Sequence, residues 1–191
     1  MADADQVVLQ CSGCGLELPW TADVRQAFRC PNARAEDDID HLVTRRISVS
    51  AGPAHDRAQK HPFARYRGRL FSYQRARSAG LSDDQYLELV ADLDASVQAV
   101  DGVGFHRTPV IEMPTLAGQD GAGGGAVFAK VEAGHVGGSH KARHLMGLML
   151  TLLVEERVSG ANSARSPLAI ASCGNAALAA AVVARAAKWP L

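Results

Sequence analysis

Residues 137–143 read Gly-Gly-Ser-His-Lys-Ala-Arg, a glycine-rich turn that delivers a lysine into the first turn of the next element. That element is apolar, with Leu145-Met146-Gly147-Leu148-Met149-Leu150 predicting a long helix that runs toward Glu156. Residues 126–132, rich in aliphatic and aromatic side chains, predict a strand before the turn, broken by Gly134 to Gly138. The pattern then repeats: residues 167–171 predict a second strand, and Gly174 opens an alanine-rich helix from Asn175 to about Lys188. Strand, loop and helix twice in succession is the alternation of an α/β fold with a parallel sheet and flanking helices. The last helix is apolar nearly all round, which requires a buried position.

Working outward, Ser82-Asp83-Asp84-Gln85 places a cap and two acids ahead of Tyr86, Leu87, Leu89, Val90 and Leu93. That spacing predicts a helix with one apolar face, ending near Val100 before Asp101-Gly102. Residues 108–111 read as extended, and the five glycines between residues 118 and 125 as a hairpin tip. A phosphate loop needs its N–H groups at a helix start, and these glycines precede a strand. Residues 47–68, with Pro53, Pro62 and mixed charge, read as a linker or meandering loop. The first segment is short and polar, with residues 7–9 as a strand leading into Cys11-Ser12-Gly13-Cys14-Gly15.

Twenty basic and twenty acidic side chains cancel, which argues against nucleic acid or an anionic membrane surface as partner. A chain of 191 residues, 47% hydrophobic, can bury a genuine core. No apolar run is long enough to span a bilayer, and the acidic start is unlike a secretory signal, so the expected location is cytoplasmic. Four cysteines in this length do not make a disulfide scaffold. Instead, two residues separate Cys11 from Cys14 and fifteen more separate Cys14 from Cys30, a knuckle plus a third thiol that suits tetrahedral Zn2+. The fourth ligand is open: His41 is the nearby candidate, with Asp38 or Asp40 as substitutes. The remaining histidines have no partner at ligand spacing and read as surface or linker residues. Trp20 and Trp189 read as structural.

Lys141 stands out because an amine that attacks a carbonyl must first lose its proton. A helix N-terminus beside His140 and Arg143, in a largely apolar setting, opposes the ammonium form. The second turn, Ser172-Cys173-Gly174-Asn175, lies between predicted strand and helix, where free first-turn N–H groups can hold a carboxylate.

The ordered set of 126–132, Gly-Gly-Ser-His-Lys-Ala-Arg, long helix, second strand and Ser-Cys-Gly-Asn resembles the fold type II (tryptophan-synthase-β-like) pyridoxal-phosphate enzymes. The resemblance covers about residues 105–190. It includes Thr108-Pro109-Val110 and Lys130-Val131-Glu132, loose matches to the family's Thr-Pro-Leu and Lys-x-Glu. It implies pyridoxal 5'-phosphate as cofactor, Lys141 as the catalytic Schiff-base lysine, His140 near the cofactor phosphate and Asn175 on the 3′-hydroxyl. Ser172, Cys173, Gly174 and Ala176 would receive the substrate carboxylate, although threonine or serine is commoner than Cys173 or Ala176. Threonine-synthase-like members often begin with Cys-x-x-Cys-Gly, as residues 11–15 do.

The expected activity is an amino-acid lyase or synthase of the β- or γ-elimination or replacement type, similar to threonine synthase or threonine dehydratase. The alternative is a zinc-ribbon interaction module on a catalytically inactive α/β domain. The expected organisation is a zinc-ribbon-like segment, 1–46, a linker and helical lead-in, 47–104, and the N-terminal part of a catalytic domain, 105–191. The family's downstream phosphate loop has no match here, so the chain reads as a fragment. Expected partners are a small amino-acid substrate and, in full-length form, a second copy as homodimer.

Overall fold

The computed structural model describes residues 7–18, 30–47, 55–116, 125–160 and 165–191. The chain is mixed α/β. Strands β1 (Val7–Cys11), β2 (Glu17–Leu18) and β3 (Val43–Ile47) form an antiparallel sheet in the order β2-β1-β3, with Cys11 opposite Val43 and Leu9 opposite both Leu18 and Arg45. Alternation along β1 sends Leu9 and Cys11 to one buried face. This small sheet reaches the helical body through Arg45, whose guanidinium lies 4.4 Å from the ring centre of Phe71.

Helices α1 (Pro62–Arg65) and α2 (Phe71–Ser78) fall in or just after the expected linker, joined by a 3-10 turn at Arg67–Arg69. The linker reading fails over this stretch because Pro62 occupies the first turn of a helix, where its missing N–H costs nothing. Arg67 supplies the missing regularity, pairing with Asp56 and with Asp83 at the start of the next helix.

Helix α3 (Asp83–Asp101) begins as the sequence predicts. Ser82 accepts from the Gln85 N–H and the Gln85 side chain accepts from the Ser82 N–H, a full capping box. It buries Tyr86, Leu89, Val90, Leu93 and Val97, and ends at Gly102. Helix α4 (Lys141–Ser159) buries Ala142, Met146, Met149, Leu150 and Val154. Helix α5 (Asn175–Ala186) buries mainly alanine and valine, so its backbone can approach both α3 and α4 closely. It is not covered all round: Leu178 is half exposed. Inside the core the Tyr86 hydroxyl and Ser72 Oγ pair at 2.8 Å, and burial pushes the Tyr86 phenol well above its ordinary value. Arg75 and Glu155 tie α2 to α4.

Two strands, β4 (Val110–Glu112) and β5 (Phe128–Lys130), make an antiparallel ladder with Val110 opposite Lys130 and Glu112 opposite Phe128. The expected parallel sheet is not found among the described residues. Residues 167–171 have no ladder partner among the described residues and are mostly exposed; their backbone is tied by the Leu168 N–H donating to the Pro190 carbonyl. A strand is made by ladder hydrogen bonds to a neighbour, and among the described residues β5 makes its ladder with β4 alone. The expected tip of the β4–β5 hairpin falls largely on residues 117–124, outside the described residues, as does Trp20. Among the described residues no helix is long and apolar enough to cross a membrane.

Met146 is fully buried between these helices, so Met146→Ala should destabilise the chain by about 2–5 kcal/mol, read from urea unfolding. Ser82→Ala, which removes the α3 cap, should cost about 1 kcal/mol in the same measurement.

Candidate functional site

The Lys141 turn is built on two left-handed glycines. Gly137 and Gly138 have φ of 63° and 66°, which L side chains rarely adopt. Gly137 is pressed against α5, where an added Cβ would lie 3.7 Å from Ala179 Cα, and its N–H donates to Asp101 of α3 at 3.1 Å. The turn that carries the lysine therefore rests on the first half of the helix that Asn175 opens.

Just past the lysine, Arg143 is clamped. Its Nε and Nη2 donate to the two carboxylate oxygens of Glu132 at 3.0 and 3.2 Å, a two-point ion pair. Thr108, itself buried, donates to the same carboxylate, and Lys130 Nζ donates to the Thr108 hydroxyl and carbonyl. Burial works to raise the Glu132 carboxyl, but Arg143 and Thr108 outweigh it and hold it down at about 2. One knot thus joins residues 106–108, the end of β5 and the first turn of α4.

The expected apolar surroundings of Lys141 are absent: Lys141 and His140 are exposed. Ala142 points into the core, so Lys141, about 100° round the helix, faces outward. Ser172, Cys173, Gly174 and Asn175 are exposed and Ala176 is half-buried, at a helix start with no side-chain cap. A groove of about 810 Å³ lies elsewhere, along α4 from His144 to Ser159 and against residues 165–170. Neither Lys141 nor Asn175 lines it.

His135 departs from the surface role expected of it. Its side chain is fully buried, edge-on to Phe105 with ring centres 5.0 Å apart, and neither ring nitrogen has a hydrogen-bond partner among the described residues. Burial, reinforced by the Arg143 charge, lowers it to about 4, so it is neutral at pH 7. Sequence spacing held no sign of this, because Phe105 lies thirty residues upstream.

At the other end of the chain Cys11, Cys14, Cys30 and His41 come together, their donor atoms all within 4.8 Å of one another. Gly13 makes the knuckle possible: a Cβ there would meet the Asp40 carbonyl oxygen at 2.5 Å. The Cys14 N–H donates to Cys11 Sγ, and this above all lowers Cys11 to about 6, while burial raises the Cys30 thiol. His41 is raised by its contact with the Cys11 sulfur, against burial and with help from Asp37. Asp38 and Asp40, the substitutes for His41, are exposed and outside this group.

The two unusual acid-base groups predict an acid limb in stability. His135, lowered from 6.5 to about 4, binds its proton more readily unfolded than folded, so stability falls as pH drops from about 6.5 to about 4. Glu132, lowered from 4.5 to about 2, contributes stability above pH 4.5 that is lost as pH falls toward 2. Denaturant unfolding of His135→Gln should flatten the upper part of this limb and Glu132→Gln the lower part. Limbs identical to the parent's would refute both assignments.

Residues 103–191 match the family described as pyridoxal-phosphate dependent enzyme. No curated protein and no solved structure matches the chain. The matched stretch contains the braced turn at Lys141, the Arg143–Glu132–Thr108 knot and the start of α5, so the similarity to the pyridoxal-phosphate dependent enzymes falls on the segments that build this turn.

Proposed function

We propose that the chain carries the lysine side of a pyridoxal-phosphate site that acts on a small amino acid, in a lyase or synthase similar to threonine synthase or threonine dehydratase. The observation that carries this reading is the Lys141 turn, braced by Arg143 on Glu132 and resting on α5 four residues beyond Asn175. The chemistry of the donors fits the cofactor: a primary amine at one helix start, and an amide with uncapped N–H groups at the other.

When bound, pyridoxal phosphate supplies an electron sink for negative charge at the substrate's α-carbon. In this reading the Lys141 amine holds the cofactor and then takes and returns the α-proton. Asn175 orients the ring through its amide, and His140 sits toward the phosphate. The N–H groups that open α5, with Ser172, Cys173, Gly174 and Ala176 around them, receive the substrate carboxylate. Loss or exchange of a β- or γ-substituent then gives elimination or replacement.

We also read Cys11, Cys14, Cys30 and His41 as a zinc site, on the strength of three sulfurs and one imidazole nitrogen gathered at one point. Tight zinc binding without any cofactor binding would favour an interaction module over an enzyme.

The cofactor reading is tested by incubating the chain with pyridoxal phosphate, reducing with borohydride and mapping modified lysines by mass spectrometry. Labelling should concentrate on Lys141 over the neighbouring Lys130 and disappear in Lys141→Ala. Label spread evenly over the lysines, or undiminished in the variant, would sink the assignment.

A further inference from the structure

Around a zinc ion with bonds of about 2.3 Å to sulfur and about 2.0–2.1 Å to nitrogen, a tetrahedron has sulfur–sulfur edges of about 3.8 Å and sulfur–nitrogen edges of about 3.5 Å. Cys14 Sγ and Cys30 Sγ are 3.6 Å apart, and Cys11 Sγ is 3.4 Å from His41 Nδ1. Four protein donors fill such a tetrahedron and leave no corner for water or substrate, as in a structural centre.

An imidazole offers either nitrogen to a metal, and the choice is set by what the other nitrogen bonds. Here His41 Nε2 lies 3.1 Å from Asp37 Oδ2. An ionised carboxylate only accepts, so Nε2 must carry a proton, and in the neutral ring that a metal binds it is the Nδ1 lone pair that faces the sulfurs. The His41 side chain is 5% exposed, so its ring has little freedom to turn over. Asp37 is in turn held by the N–H groups of Arg34 and Ile39, both at 3.3 Å.

Resting on the reading of this group as a zinc site, we propose that His41 is the fourth ligand through Nδ1 and that Asp37 is its positioning residue. Asp37 touches no ligand atom of the metal. It acts by holding the ring in one tautomer and one orientation, so that the site is assembled before the ion arrives.

The test is zinc affinity of the metal-free full chain, titrated against a competing chelator, with the visible spectrum of the cobalt-substituted protein reporting the ligand set. Asp37→Ala should weaken zinc binding by about 10–100-fold while the cobalt spectrum keeps its thiolate bands. The same substitution made in a His41→Cys background should cost less than about twofold, because a sulfur ligand needs no tautomer fixed. An equal loss in both backgrounds would overturn the proposal, since Asp37 would then act through the Arg34 to Ile39 loop. A parent chain that takes up no zinc would instead remove the zinc reading on which the proposal rests.

Discussion

The buried stripe of α4 organises the molecule. Ala142, Met146, Leu150 and Val154 recur every four residues and are completely shielded from solvent, and α2 and α5 both pack on this helix. Full burial of side chains such as Met, Leu and Val contributes roughly 1.5–3 kcal/mol each. Since Lys141 is the first residue of the same helix, the packing that stabilises the core also fixes where the amine emerges. Lys141 has no hold of its own on the core; its place is set by Ala142 beside it.

Two further restraints act on that helix start. The glycine turn presses α4's approach onto α5, and the Arg143–Glu132 pair fastens its first turn to the end of β5. The ion pair is only partly exposed, so the desolvation of both charges must be offset by good geometry, and the two-point contact with Thr108 joining provides it. Three stretches distant in sequence are joined here through one carboxylate.

The N-terminal sheet obeys a different constraint. Its described core is thin, with Leu9, Cys11 and Cys30 as its buried apolar residues, too little to hold a sheet by packing alone. A bound metal compensates for a small core elsewhere in protein chemistry, and the convergence of three sulfurs and one ring nitrogen puts the means of doing so where the hydrophobic contribution is smallest. Arg45 over Phe71 then links this lobe to α2 and the helical body.

Local chemistry made much of this legible in advance. The α3 cap and stop, the start of α4 after Gly-Gly-Ser-His, the alanine helix after Gly174 and the knuckle at Cys11 and Cys14 all depend on neighbours within a turn or so, and periodicity reports those directly. Tertiary structure alone decided the rest. Whether residues 167–171 pair as a strand depends on another segment coming alongside, which no local pattern records. The exposure of Lys141, the burial of His135 against Phe105, and the gathering of His41, rather than Asp38 or Asp40, beside the three cysteines depend on contacts between separate segments. The Lys-x-Glu and Lys-Ala-Arg motifs were visible as words, but that Glu132 and Arg143 hold each other across eleven residues is a property of the folded chain.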